Sequence, residues 1–474
     1  MVVNVQLIDA RNDRQIWTQR YERTMTDTLS LQGELAVEIA RELRATLTPL
    51  EQQAFATRPT ENPEAYVLYL RARELETRWE PGPEDFEAAV ELYRQAVELD
   101  PKFALARARL SLRATYLTYN TPGKVTSRMP KALADAEEAL RLQPNLGEGR
   151  LALAHYYYWA ANDFDRALAE LTRAAELMPN SAEVWNMRGR IYERQGRLRE
   201  RIAALQQAAT LDPSDTNNRA QLGFTFSSVR NWPAMVENQL RLRAELPDPK
   251  PFPWGIATGQ FRMSGVLDPL KKVVTEAPLG TRPGQLESLK MARVELAMFE
   301  RDYGAAERYL KEAPEEYNGI PKTMRAALLA VARGADAAET EQALFLARQD
   351  IEKLLATDPE NHVLYLNLGL IDAFRGRKED AIRECRRGIE LVGQRVLEKN
   401  AASAALALIY ARTGEPDEAI KLIEQLLTLP GYFGSFSIYS MTQADLKWRW
   451  VWDPLRNDPR FQKILEGPEP KTIY

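Results

Sequence analysis

Residues able to do chemistry are scarce in this chain, and those present suit recognition better than catalysis. Its 474 residues hold two histidines, His155 and His362, and one cysteine, Cys385. The histidines lie far apart in sequence with no cysteine near either, so no metal-ligand spacing arises. A lone cysteine closes no intrachain disulfide and leaves the redox compartment unmarked. G-x-x-x-x-G-K-[ST], G-x-G-x-x-G, H-E-x-x-H and G-x-S-x-G are all missing. Carboxylates abound, but they stand four residues from arginines, as Glu193 does from Arg197, the spacing of a solvated helix face. No catalytic residue, metal or cofactor is expected. Better candidates are Asn186, Arg190, Asn217 and Gln221, with Glu193, His155 and Tyr158. Amide and guanidinium groups of this kind can bond the backbone of an extended peptide and a carboxylate.

Those residues need elements to hold them, and the spacing supplies the elements. Trp185, Gly189 and Tyr192 are three or four apart and share one face of a helix. Gly189 has no side chain, which lets a second helix come close. Leu205 and Ala208 form the answering stripe, and Asp212-Pro213 ends that helix, since proline cannot continue one. Pro179, Pro213 and Pro247 recur at intervals of 34. Trp185 and Arg219 sit six beyond the first two, Gly189 and Gly223 ten beyond. This large-small-aromatic pattern at that period resembles the tetratricopeptide repeat (TPR) family over 145–247.

That resemblance implies an all-α superhelix, an α-solenoid of about ten helix pairs with the first helix of each pair lining a concave groove. On that template the inward positions are Ala152, His155 and Tyr158 in repeat three. In repeat four they are Glu183, Asn186, Met187, Arg190 and Glu193, and in repeat five Asn217, Gln221 and Phe224. Some TPR proteins hold a C-terminal carboxylate with a set of lysines and asparagines, and Asn186, Arg190 and Gln221 are the fragments of that set found here. The expected partner is a protein or peptide.

The ends of the chain read differently. Val3, Val5 and Leu7 alternate with polar residues, a turn follows at Asp9–Asp13, and Gln15–Tyr21 resumes the extended pattern, so 2–21 is a β-hairpin. A lone hairpin is marginal in water. A helix is predicted over 29–47. The run from "VNVQLIDARNDRQIWTQRYER" through "LTPLEQQAFATRPTENPEAYVLYLRAR" resembles the end of a TolB-like α/β domain joined to TPR repeats. Bacterial signalling proteins with that arrangement carry a kinase, an adenylate cyclase or a winged-helix domain upstream. The chain then begins inside the α/β domain, whose missing part is absent or supplied by another chain. The tail contains "WDPLRNDPRF", also similar to those relatives. Trp448, Trp450, Trp452, Leu455, Phe461 and Leu465 suit a cap over the last helix pair, which would otherwise expose its apolar face.

The resulting organisation is a partial α/β remnant (1–50), a first TPR sub-array (51–247), a degenerate or hinge region (248–319), a second sub-array (320–430) and an aromatic cap (431–474). Within these, stretched loops are expected at Trp79–Pro83, around Asn120–Gly123 and around Gly334. Composition is 45% hydrophobic and 27% charged with net charge −4. Such balance points to neither nucleic acid nor an anionic membrane. No apolar run approaches the roughly 18 residues that span a bilayer, and Met1–Asp13 lacks the layout of a signal peptide. A cytoplasmic, non-enzymatic scaffold in a bacterial signalling system is the expectation. Two rivals stay open: a signalling enzyme or transcription regulator without its effector domain, and an enzyme with an unrecognised site in 248–320.

Overall fold

The computed structural model describes residues 2–9, 14–22, 28–42, 58–76, 82–120, 129–245, 253–276, 283–393, 395–434 and 436–474. The chain forms two compact units, Met1–Met187 and Arg188–Tyr474.

The first unit opens with antiparallel strands β1 (Val2–Asp9) and β2 (Arg14–Glu22), shifted in register between Leu7 and Ile8. Among the described residues these strands pair only with each other. Helix α1 (Thr28–Glu42) follows, and the Tyr21 hydroxyl donates to Glu38 on it. Leu43 and Leu47, expected to extend that helix, lie outside the described residues. Helix pairs make up the rest: α2 (Pro63–Glu76) with α3 (Pro83–Leu99), α4 (Ala104–Asn120) with α5 (Met129–Leu142), and α6 (Gly147–Trp159) with α7 (Phe164–Leu177). Residues 77–81 and 121–128, where stretched loops were expected, are also outside the described residues. Small residues on the second helices (Ala89 and Ala96, then Ala132, Ala136 and Ala139) are fully or almost fully buried. Their size lets the helices of a pair pack closely.

Helix α8 (Ala182–Arg194) runs from the first unit into the second and pairs with α9 (Leu198–Leu211). Gly189 on it is the close approach that the spacing suggested: an added Cβ would stand 3.2 Å from Leu205 Cγ. Then come α10 (Thr216–Ser228) with α11 (Trp232–Glu245), α12 (Trp254–Ser264) with α13 (Asp268–Glu276), and α14 (Pro283–Glu300) with α15 (Tyr303–Glu312). The irregular stretch after Pro247 thus holds a shortened pair, of 11 and 9 residues. A two-residue ladder, β3 (Glu316–Tyr317) with β4 (Ile320–Pro321), leads into α16 (Lys322–Ala332) and α17 (Ala337–Thr357). The expectation of a long loop at Gly334 is corrected here. Gly334 adopts φ +68° in a tight turn, and the extra length is taken up by the 21 residues of α17. Pairs α18 (His362–Phe374) with α19 (Lys378–Val392) and α20 (Val396–Arg412) with α21 (Pro416–Leu427) complete the array. The tail adds α22 (Gln443–Trp448), a 3₁₀ turn at Trp450–Leu455 and α23 (Pro459–Glu466).

The turns obey one rule. Among the described turns between the helices of a pair, one residue takes the left-handed conformation, as at Gly196, Gly376 and Gly414. Glycine does so without a Cβ penalty. Asn162, Arg230 and Arg301 occupy the same turn position with φ of 52°, 59° and 59°. No described helix is long and apolar enough to cross a membrane.

Candidate functional site

In the first unit the first helices bring together a set of charged side chains. Tyr69, Arg73 and Glu76 stand at i, i+4 and i+7 on one face of α2, and Arg109 and Arg113 at i, i+4 on α4. Arg73 Nη1 lies 2.7 Å from Glu76 Oε2, and Arg113 Nε bonds the other oxygen of the same carboxylate. Arg109 Nη1 donates to Glu183 Oε2 at 2.8 Å and to Oε1 at 3.2 Å, while Arg113 Nη2 stands 3.7 Å from Glu183. The result is an alternating chain, Arg73–Glu76–Arg113–Glu183–Arg109. Burial alone would raise the Glu183 carboxyl, but Arg109 and Arg113 overcome it and hold it below its usual range. Burial also pushes the Tyr69 phenol up to about 12. Glu148 and His155 on α6 lie within electrostatic reach of Arg109 and Glu183 respectively. Arg109 is only 7% exposed, and its Nε–H is buried with no hydrogen-bond partner. A buried donor in that state costs about 1–3 kcal/mol until something accepts from it.

In the second unit the corresponding inner positions already hold a segment of polypeptide, the chain's own tail. Gly431 N–H donates to Ser228 O at 3.0 Å, and the Tyr432 ring lies 4.7 Å from Phe224 of α10. Phe433 packs edge-on to Trp232, and Phe436 stacks on Trp254 of α12. Tyr439 donates to Asn367 Oδ1 of α18 at 2.8 Å. Arg412 of α20 donates to the carbonyls of Trp450 (2.7 Å) and Val451 (2.8 Å). Two buried arginines also hold the segment. Arg262 donates to Phe433 O at 2.9 Å and Gly434 O at 3.3 Å, and Arg230 to Met441 O at 3.0 Å and Leu426 O at 3.3 Å. Arg301 forks onto both Asp453 oxygens at 2.7 Å.

Family profiles described as tetratricopeptide repeats match residues 84–103, 151–216 and 402–431. The chain thus carries tetratricopeptide repeats over these stretches. It is 33% identical over 158 residues to putative adenylate cyclase 3 of Rhizobium meliloti (strain 1021), a stretch covering 33% of this chain and 27% of that protein. The chain therefore spans about a quarter of the length of that curated relative. Among solved structures, TTC0263 of Thermus thermophilus, itself called a TPR protein, is 17% identical (39% of this chain, 93% of that one, TM-score 0.33). PilF of Pseudomonas aeruginosa is 13% identical (52% and 90%, TM-score 0.30). A human IFIT1 dimer with PPP-AAAA is also 13% identical (85% and 77%, TM-score 0.35). At these scores they add nothing to the helix pairing described above.

The TPR template placed seven candidate residues, and the structure distributes them unevenly. His155 is buried on α6 beside Glu183. Tyr158, 3% exposed, packs against Trp159 and Phe164 within its own pair. Asn186 and Arg190 are half-buried on α8. Glu193 pairs with Arg201, whose Nη2 donates to Gln221 Oε1 at 3.0 Å. Both are thus engaged within the chain. Asn217 is exposed, and its backbone N–H is bonded by Asp215 at the helix start. The Glu193–Arg197 pair inferred from spacing is replaced: α8 ends at Arg194, so Arg197 falls at the start of the next helix and bonds Glu200 at 2.9 Å. Cys385 is wholly buried, and burial raises its thiol to about 12, so it serves packing. Trp450 and Trp452 are buried too.

The residues missed were Arg73, Glu76, Arg109 and Arg113 of the first unit and the tail-holding Arg230, Arg262 and Arg301. The first four lie in worn repeats. For Arg230 a signal existed. Asn162, Gly196 and Arg230 stand 34 apart at the turn between paired helices, so an arginine there replaces a residue suited to φ > 0. Backbone strain retained at such a point usually has a use.

Proposed function

We propose that this TPR protein is a non-enzymatic scaffold that binds an extended protein segment along the first-helix face of its first unit. The observation that carries this reading is the unpartnered Nε–H of Arg109, set within three arginines and two glutamates that are otherwise paired. An incoming backbone carbonyl or carboxylate satisfies that donor at little cost, because the guanidinium is already positioned and dehydrated. The second unit supports the same reading from within the chain. Arginines on or beside its first helices hold a segment of the tail by its carbonyls. We further infer that the partner belongs to a bacterial signalling system, with the likeness to putative adenylate cyclase 3 as support.

The test is affinity capture from the native host with the wild-type chain and with Arg109→Ala/Glu183→Ala, followed by mass spectrometry. Removing both members of the pair leaves no lone buried charge. Partners captured by the wild type should be lost at unchanged helix content. Capture that is equal for the two proteins would move the binding surface elsewhere.

A further inference from the structure

The second unit contains an open-sided pocket of about 840 Å³, solvent at its mouth included. Its walls are mostly apolar. Met291, Met298 and Phe299 come from α14, Met324 from α16, and Phe436 and Trp450 from the tail. Protein interiors leave few voids larger than a water molecule, and binding sites for small molecules are mostly apolar clefts with a few convergent polar groups. Three methionines in the lining add adaptability, since the unbranched thioether chain conforms to varied apolar shapes.

Four polar side chains reach this pocket, and they are not equivalent. Glu295 and Arg449 are paired at 2.7 Å, and Arg449 is further held by Asp445 at 3.0 Å. They satisfy each other. Asn367 is 1% exposed; its Oδ1 accepts from Tyr439, but its Nδ2 is buried without a partner. Arg325 donates to the carbonyls of Tyr317 and Ile320, and among the described residues no carboxylate forms an ion pair with it. Two carbonyl bonds leave a guanidinium, which has five N–H donors, with donors and a full positive charge to place. Burial lowers the Arg325 guanidinium from its ordinary value, and Glu295 and Glu316, neither of them in contact with it, only partly oppose the shift. The pocket thus offers an apolar enclosure, one cation with no carboxylate in contact with it and one orphaned amide donor.

We propose that this pocket binds a small amphipathic monocarboxylate, with its hydrocarbon or aromatic body among the methionines and its carboxylate on Arg325 and the Asn367 amide. A neutral ligand would leave Arg325 unpaired, and a cation would meet it directly. A carboxylate alone fits both polar groups, because it is acceptor-only and can take a guanidinium and an amide donor together.

Decanoate is a suitable probe, titrated calorimetrically into the full chain alongside decanol and decylamine. Saturable one-to-one binding of decanoate is expected, with decanol weaker by about tenfold or more and decylamine weaker still. Arg325→Met should weaken decanoate by about tenfold or more and leave decanol unchanged. Met324→Trp, which fills the cavity from an apolar wall, should abolish binding of both. Unfolding of each variant is followed in the same samples, so that loss of fold is not taken for loss of binding. Should Arg325→Met fail to fold, Met324→Trp and the ranking of the three probes decide the matter. Equal binding of acid, alcohol and amine would overturn the proposal, as would decanoate binding that survives Met324→Trp. Absence of decanoate binding to the folded wild type would also overturn it, leaving the pocket to an apolar protein side chain.

Discussion

The two units use one kind of helix pair and put opposite things on its inner side. In the first, that face carries the charged chain from Arg73 to Arg109, ending in an arginine Nε–H that nothing accepts. In the second, the same side is filled by residues 431–474, which contribute Tyr432, Phe436, Tyr439 and Trp450 to its first helices. The tail therefore goes well beyond a cover over the last pair, the role its aromatic residues suggested. It joins the apolar clusters around Trp254, Met291 and Leu364. The difference shows how a solenoid face is assigned to an external or an internal segment. The repeats supply the same scaffold either way, and the side chains at a few inner and turn positions decide.

The largest effect comes from removing the internal segment. A chain ending at Pro430 would expose the surfaces that bury Trp452, Val451, Leu446, Leu455 and Phe461, each 0–1% exposed in the whole protein. At about 1.5–3 kcal/mol for a fully buried large side chain, their loss rivals the whole stability of a domain, about 5–15 kcal/mol. Limited proteolysis with mass spectrometry should show cleavage spreading through 254–427 while 63–177 stays protected. Protection of both regions would mean that the tail is a mere appendage.

A single side chain should separate the units next. Arg262 is buried with three tail partners, Phe433 O, Gly434 O and Ser440 Oγ, and lies 3.5 Å from the fully buried Asp445. Arg262→Met strands those acceptors and weakens the pairing of Asp445, at a cost of about 3 kcal/mol or more. Arg73→Met in the first unit should cost less than about 1 kcal/mol, because its side chain is 31% exposed and Glu76 keeps Arg113. Denaturant unfolding of both variants checks the contrast, and equal losses would erase it.

Much of this fold could be read from the sequence, because a period of 34 and small residues at fixed offsets belong to local helix pairing. Gly369 shows how strict that reading is: a Cβ there would meet the backbone oxygen of Ala381 at 2.8 Å. The use of the inner face was not legible. Whether Gln221 faces an external peptide or Arg201 depends on which residue arrives from the neighbouring helix, and Arg201 carries no mark of its own in the pattern. The tail's aromatic residues announced burial but not the place, since contacts such as Trp448 Nε1 to Gly265 O link residues 183 positions apart. Hydrophobic periodicity records that a face is buried and is silent on what covers it.

Acid should distinguish the units by a smaller amount. Burial, reinforced by the Arg395 charge and opposed by Asp358, lowers His362 from 6.5 to about 4. The unfolded chain takes up a proton at this position near pH 6.5, whereas the folded second unit resists it down to about pH 4. Between those values the unfolded state binds more protons, so the stability of the second unit falls as pH falls and is fully present at neutral pH. Allowing for partial exposure, the loss is on the order of 1–2 kcal/mol. Glu183 of the first unit is shifted the other way relative to its charge, with its carboxyl held below the ordinary 4.5. Its contribution is therefore intact above that value and is lost only as pH drops below it. From pH 7 to 5 the second unit should lose stability to His362 while the Glu183 pairing in the first holds. His362→Gln should remove that part of the slope. Amide hydrogen exchange at the two pH values, corrected for intrinsic rates and read separately for 63–177 and 362–427, measures the difference. A slope that persists in His362→Gln would assign it to other groups.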